Sequence, residues 1–366
     1  MTEKLPWLAL RGIPGVGLVL FQRLVQAFGS PAAVFEAGIP ELRSMKGVSP
    51  AMAQAIASFR DWDVVEAQIS RLTKAGGFFL TQDDPGFPSR LKEIPYAPPY
   101  LFIRGSLEPE DVRAVALVGT RGASYYGLKA CRSLAGALAT RGWRVVSGLA
   151  RGIDTAAHQG ALEQGGRTLA VLGCGLDVVY PPENQKLYRE IPEQGALISE
   201  FPLGAPPEAR NFPVRNRLIS GLSWAVVVVE AGAQSGTHIT VQYALDQGRE
   251  VLAVPGPVNS PTSIGPHRLI QQGAKLVHTV EDILQELPRA AGAGAVAPQV
   301  AVTEAAWSSP GSEDPLLPYL GADPIQLEEL VQASRLEAKE VLSRLTMLEL
   351  QGLIRELPGK CFVLEK

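Results

Sequence analysis

Two arginines, Arg215 and Arg217, lie in the stretch NFPVRNRLISG (residues 211–221), just ahead of the apolar, β-branched run Trp224–Glu230. That run reads as a buried strand. NFPVRNRLISG is then the loop and short helix that feed it, with Leu218, Ile219 and Leu222 on the buried face. Pro213 belongs in the first turn, where its missing N–H costs nothing. Two cations near a helix N-terminus oppose the helix dipole. A local rule broken this way marks a site whose missing partner is an anion. The competing reading pairs both arginines with nearby carboxylates, Glu200 or Glu230.

The elements that must position these arginines run from Arg113 to Leu287, where apolar runs, glycine turns and amphipathic stretches alternate. Strands are expected at Ala114–Gly119, Arg144–Ser147, Thr168–Gly173, Ala196–Ser199, Trp224–Glu230 and Glu250–Val254, with helices such as Leu128–Thr140, Asp154–Glu163 and Thr237–Gln247 between them. Such alternation implies an α/β fold with a Rossmann-like parallel sheet. Ligands of such sheets bind in the loops at the carboxyl ends of the strands.

The unusual residues gather in those loops. Gly119-Thr120-Arg121-Gly122 follows the first strand, and Ser147-Gly148 through Arg151 to Asp154 the second. Gly173–Asp177 follows the third and leads to Tyr180-Pro181-Pro182-Glu183-Asn184, while Ser235-Gly236-Thr237 closes the loop after Trp224–Glu230. One glycine turn is weak evidence, because tight turns need glycine anyway. Several on one sheet edge, beside Arg210, Asn211, Phe212, Arg215, Asn216 and Arg217, make a phosphate-accepting groove. Asp154 is expected to cap its helix, and His158 to pack or hydrogen-bond within the fold.

At 366 residues the chain has room for two or three domains. Its net charge of -3 excludes a generally polybasic protein, so a nucleic-acid site has to be a local concentration of cations. Residues 301–366 carry eleven acidic and six basic side chains, whereas residues 1–60 carry three and six. Cys131, Cys174 and Cys361 are scattered and the four histidines lack paired spacing, so neither disulfides, metal nor a cofactor is expected. The N-terminus lacks the apolar core of a signal peptide and no run is long enough to span a bilayer. A cytoplasmic protein without membrane contact is expected.

The flanks read as separate modules. Residues 1–80 are expected to be an all-helical domain with two glycine hairpins, Ile13–Gly17 and Met45–Ser49, each between helical stretches. They resemble paired helix-hairpin-helix, or SAM-like, motifs. Residues 81–288 form the core, opening with a connector at 81–112 that holds a short strand at Leu101–Ile103. Residues 289–314 read as a flexible linker. The remainder, 315–366, has the helix, turn, helix, hairpin layout of a winged helix. Its second helix, Leu336–Leu350, carries Glu337, Glu340 and Glu349 against Lys339 and Arg344, too acidic for DNA recognition. A protein-contact or accessory role is expected.

Residues 83–287 closely resemble the DNA-processing protein DprA (Smf) family. The resemblance rests on Val118-Gly119-Thr120-Arg121, SGLARGIDTAAHQGAL from Ser147, AVLGCGLDVVYPPEN from Ala170, SEFPLG from Ser199, NFPVRNRLISGLS from Asn211 and VVVEAGAQSGTHIT from Val227. It implies a non-enzymatic homodimer that binds single-stranded DNA during natural transformation and homologous recombination. It also implies protection of that DNA and its hand-over to a RecA-type recombinase, with displacement of single-strand-binding protein. By the family pattern, Arg121 contacts phosphate, and Phe212, Arg215 and Arg217 contact DNA. Thr120 stands where serine is usual, which keeps the hydroxyl. Ala233-Gln234 stands where a lysine often precedes Ser-Gly, which removes a charge. For the dimer surface, the stretch Ile264–Ile270 is a candidate.

Phe212 can stack on an unpaired base, or it can pack under its helix. The alternative function is a nucleotide phosphoribohydrolase on the same core. Enzymes of that type place a glutamate one turn after a Gly-Thr helix start, and Gly236-Thr237-His238-Ile239-Thr240 lacks one.

Overall fold

The computed structural model describes residues 2–288, 314–321, 324–350 and 353–364. They divide into two compact units, one holding most of residues 1–287 and the other the C-terminal segment.

Six helices open the first unit: α1 (Leu5–Gly12), α2 (Leu18–Phe28), α3 (Pro31–Glu36), α4 (Ile39–Ser44), α5 (Pro50–Ala57) and α6 (Trp62–Lys74). The two glycine hairpins lie where expected, between α1 and α2 and between α4 and α5. Gly15 and Gly47 adopt φ of 88° and 98°, where a side chain would be strained. The helix starts differ. The Ser49 hydroxyl accepts the Met52 N–H at 3.2 Å and caps α5, whereas α2 begins at Gly17 without a side-chain cap. Leu10, Leu24, Leu42 and Ile56 are fully enclosed between these helices.

A nine-stranded sheet follows. Its strands are β1 (Gly77–Thr81), β2 (Tyr100–Gly105), β3 (Ala114–Val118), β4 (Arg144–Ser147), β5 (Thr168–Leu172), β6 (Gly195–Ser199), β7 (Ala225–Val228), β8 (Glu250–Ala253) and β9 (Lys275–Leu276). The short α7 (Ser89–Lys92) lies between β1 and β2. The other connections carry α8 (Tyr125–Thr140), α9 (Ile153–Glu163), α10 (Gln185–Glu190), α11 (Asn211–Leu222), α12 (Thr237–Asp246) and α13 (Ile264–Gln271), and α14 (Val280–Gln285) ends the unit.

Every residue of β3, β5, β6 and β7 is buried, which is why these strands read as largely apolar runs, interrupted only by Thr168 and Ser199 at strand ends. Residues 81–112 do more than connect. β2 pairs antiparallel with both β1 and β6 and so extends the sheet, and β1 runs across residues 80 and 81. Two antiparallel strands thus flank seven parallel ones, in the order β1-β2-β6-β5-β4-β3-β7-β8-β9.

That order positions the site. From β3 the chain lays β4, β5 and β6 to one side, then returns to place β7 on the other side of β3. The reversal opens a crevice beyond the carboxyl ends of β3 and β7, the place where open α/β sheets hold ligands.

The second unit contains β10 (Ile325–Gln326), α15 (Leu327–Ser334), α16 (Ala338–Leu350), β11 (Ile354–Leu357) and β12 (Cys361–Leu364), with strand order β10-β12-β11. It is a winged helix closed over Leu330, Val341, Leu345 and Phe362. Outward, α16 shows Leu342 and Met347, and its Glu340 pairs with Arg344 at 2.8 Å. The linker expected at 289–314 lies, but for its last residue, outside the described residues.

Candidate nucleic-acid interface

A groove of about 420 Å³ occupies the crevice. Gly119, Thr120 and Arg121 form one wall, Ser235, Gly236 and Thr237 the opposite one, and Phe212, Arg215 and Asn216 of α11 a third side. These nine were all expected at the site. Val118, Ala150, Asp154, Pro213 and Ile219 also line it, as do Ile239 and Thr240 in the first turn of α12. Ile239 and Thr240 carry no charge or glycine signature, so the sequence did not single them out.

The walls are made of closely approached main chain. The Thr120 N–H donates to the Glu230 carbonyl at 2.7 Å, and the Ile153 N–H donates to the Thr120 carbonyl at 3.3 Å. A Cβ on Gly119 would fall 2.5 Å from the Ile153 side chain, and one on Gly152 would fall 2.4 Å from the Thr120 carbonyl oxygen. Opposite, the Ser235 hydroxyl accepts the Thr237 N–H at 3.2 Å and shares a hydrogen bond with the Thr237 hydroxyl at 2.9 Å.

Arg215 is 4% exposed and lies under the floor. Its Nη1 donates to the Gly148 carbonyl at 2.6 Å and also to the Val171 carbonyl, so it ties together the ends of β4 and β5. Its Nε donates to Asn216 Oδ1 at 3.2 Å. Gly148 is required here, because a Cβ would sit 2.4 Å from Nη1. Burial lowers the Arg215 pKa to about 10, with the Asp154 carboxylate opposing the shift.

Asp154 does not cap its helix as expected. Gly152 holds the N-cap position of α9, with φ of 73°. From the first turn, Asp154 Oδ2 instead accepts the N–H groups of Gly148 and Ala150, at 3.2 and 3.3 Å, and so shapes the β4–α9 loop. Burial raises its pKa, although Arg215 pulls the other way. His158 is fully buried with Nδ1 2.7 Å from the Thr168 hydroxyl. Burial, then Arg215, pushes its pKa down to about 3. Ser147 is equally enclosed, with its hydroxyl donating to the Leu117 carbonyl at 2.7 Å.

Arg217 departs from the expectation of a DNA contact. Two residues beyond Arg215, it points about 200° further around α11, into the protein. Its Nη2 donates to both Glu200 oxygens at 2.8 Å, Nε to the Tyr96 carbonyl at 3.1 Å and Nη1 to the Val214 carbonyl at 3.2 Å. The carboxylate reading holds for this arginine. Glu230 takes a different partner, accepting from the Thr262 hydroxyl at 2.9 Å.

Phe212 stands half-buried at the rim rather than beneath the helix. The exposed Arg121 guanidinium lies over its ring, 5.3 Å from the centroid, and the Tyr180 ring is 5.7 Å away. Gly173 leaves the space it fills, since a Cβ there would fall 2.9 Å from the ring. Arg151, Arg210 and Asn211 do not line the groove. Arg151 pairs with Glu183 at 2.7 Å, Arg210 with Glu208 at 2.5 Å, and Asn211 donates to the Pro206 carbonyl at 3.2 Å.

Among the described residues, no helix is long and apolar enough to cross a membrane, and no His, Cys, Asp and Glu group could hold a metal ion.

Comparison with known proteins gives this geometry a family. Residues 78–288 match the family described as DNA recombination-mediator protein A, residues 301–360 the DprA winged helix domain, and residues 8–61 a SAM-like helix-hairpin-helix tandem. The chain is 40% identical over 320 residues to Protein Smf of Escherichia coli strain K12, covering 86% of this chain and 84% of that protein. It is 40% identical over 245 residues to DNA processing protein DprA of Streptococcus pneumoniae, covering 67% and 86%. The X-ray structure of that Streptococcus pneumoniae protein superposes with a TM-score of 0.69 at 34% identity, over 79% of this chain and 99% of the other. A Helicobacter pylori DNA processing protein A, described for its single-stranded DNA binding mode, superposes with a TM-score of 0.51 at 27% identity, over 57% and 97%. With its central sheet, its winged helix and its helical tandem each matched, this chain belongs to the DNA recombination-mediator protein A (DprA/Smf) family.

Proposed function

We propose that the groove binds single-stranded DNA without regard to sequence. The observation that carries this reading is the pairing of Arg121 with Phe212 at the mouth of a groove walled by main chain. Arg121 neutralises a phosphate, contributing about 0.7 to the slope of log affinity against log salt, and the wall hydroxyls hydrogen-bond the strand. A base stacking on Phe212 in place of Arg121 contributes about 1–3 kcal/mol whatever its identity. Stacking needs a free π-face, which paired bases do not offer. Gly119, Thr120, Ser235, Gly236, Thr237 and Asn216 supply the remaining polar wall, and Arg215 holds a buried positive charge beneath it. Bound DNA is protected and handed to a RecA-type recombinase as single-strand-binding protein is displaced, with the chain acting as a cytoplasmic homodimer in natural transformation.

The hydrolase alternative is not favoured. The first turn of α12, where an acid–base carboxylate would stand, contains no acidic residue.

The test is a titration of labelled oligothymidylate and of duplex of equal length, across a range of salt. Binding is expected to be salt-dependent and much tighter for the single strand. Equal affinity for both forms would remove the stacking argument.

A further inference from the structure

The rim continues past Phe212. The Tyr180 ring is half-buried and tilted by 37° against that of Phe212. A single 3-10 turn, Pro182–Asn184, follows it. From this turn Glu183 reaches the exposed Arg151, whose Nη2 and Nε donate to Oε1 at 2.7 and 3.1 Å. Tyr180 precedes Glu183 by three residues, so the ring and the ion pair belong to one loop.

The two loops that carry these residues are fastened from below. The buried Asn184 donates to the Leu149 carbonyl and to the Thr155 hydroxyl, both at 2.9 Å. Leu149 is fully buried and held at φ of 53°, a left-handed conformation that costs a side-chain-bearing residue about 1–2 kcal/mol. Strain of this kind persists where surrounding contacts fix the backbone, and it gathers at functional sites.

We propose that Tyr180 and Arg151 form a second nucleotide subsite adjoining Phe212, where a base stacks on Tyr180 and its phosphate takes Arg151 from Glu183. The inference rests on the single-strand reading of the groove. An aromatic ring on the loop that anchors a guanidinium, following the Phe212–Arg121 pair, gives a strand its next base platform and its next cation. Glu183 occupies the phosphate position in the free protein. An exposed ion pair of this kind contributes only about 0–1 kcal/mol, and where Glu183 offers Arg151 a single oxygen, a phosphate offers two for a bidentate contact. The exchange therefore costs little, and the released carboxylate, already 60% exposed, returns to water.

The full-length protein is titrated with oligothymidylates, from a length that fills the groove alone to one several times longer. Glu183→Gln is expected to tighten binding of the long strand about two- to fivefold. Tyr180→Leu is expected to weaken it about five- to a hundredfold, and Tyr180→Phe to preserve it. The shortest strand is expected to respond to neither. Glu193→Gln removes the same charge from an exposed position and is expected to change nothing; tightening equal to that of Glu183→Gln would overturn the proposal. It is also overturned if Tyr180→Leu and Glu183→Gln leave every length unaffected while Arg121→Ala weakens binding, a result that keeps the groove. Loss of the Arg121→Ala effect as well would overturn the single-strand reading itself.

Discussion

Arg217 donates from one nitrogen, Nη2, to both oxygens of Glu200, and the two side chains are only 3% and 5% exposed. Removing either partner strands a charge in the interior, at a cost of about 3–5 kcal/mol. Arg217→Ala is expected to lower stability by that amount in denaturant titrations. A shift under about 1 kcal/mol would mean that the pair is solvated and was misassigned to the fold.

Arg121 is exposed, so its replacement separates binding from folding. Arg121→Ala is expected to leave stability within about 0.5 kcal/mol of the parent. The salt slope for single-strand binding should fall by about 0.7. Calorimetry and anisotropy on the same preparation give both numbers.

Phe212→Ala is expected to weaken single-strand affinity by about 1–3 kcal/mol, with Phe212→Tyr close to the parent. Duplex affinity should barely respond, so the preference for single strands contracts. An unchanged preference would assign Phe212 to packing with Tyr180 alone.

His158 provides a pH signature of folding. Its ordinary pKa is 6.5, and in the folded chain burial holds it near 3. Below pH 6.5 the unfolded chain takes up a proton that the folded chain refuses. Its contribution is therefore complete above 6.5 and is lost as pH falls toward 3, at up to about 1.4 kcal/mol per pH unit. Asp154 acts with the opposite sign, since its folded pKa is raised and the folded state gains on it as it protonates. His158→Gln is expected to flatten the acid limb of the stability profile between pH 6.5 and 5, measured by urea titration at stepped pH.

Deleting residues 300–366 is expected to leave single-strand affinity largely intact. The segment carries more acidic than basic residues, and α16 shows Leu342 and Met347 where a DNA-reading helix would show cations. Severe loss of affinity in the truncated chain would reassign the winged helix to DNA.

Much of the fold was legible because burial on both faces leaves a plain trace. β3 and β7 are apolar at every position and β5 at all but Thr168, and the glycines between strand and helix mark where main chains touch. β1 was not legible, since residues 77–80 fall inside the segment expected to be all-helical. The site was legible as a set of loops but not residue by residue. Arg215 and Arg217 look equivalent in sequence, and only the rotation of α11 against the sheet sends one under the groove and the other to Glu200. The contact between Tyr180 and Phe212 likewise joins two loops that nothing local connects.

The reversal of strand order has a consequence for synthesis. One wall of the groove follows β3, the other follows β7, and Val115 must wait for Ala225 before the two strands pair. A chain emerging from the ribosome therefore carries Arg121 long before it carries Ser235–Thr237. Any product terminated ahead of Ala225 exposes half a cleft and the bare edge of β3. DNA affinity should switch on late and abruptly as the chain lengthens.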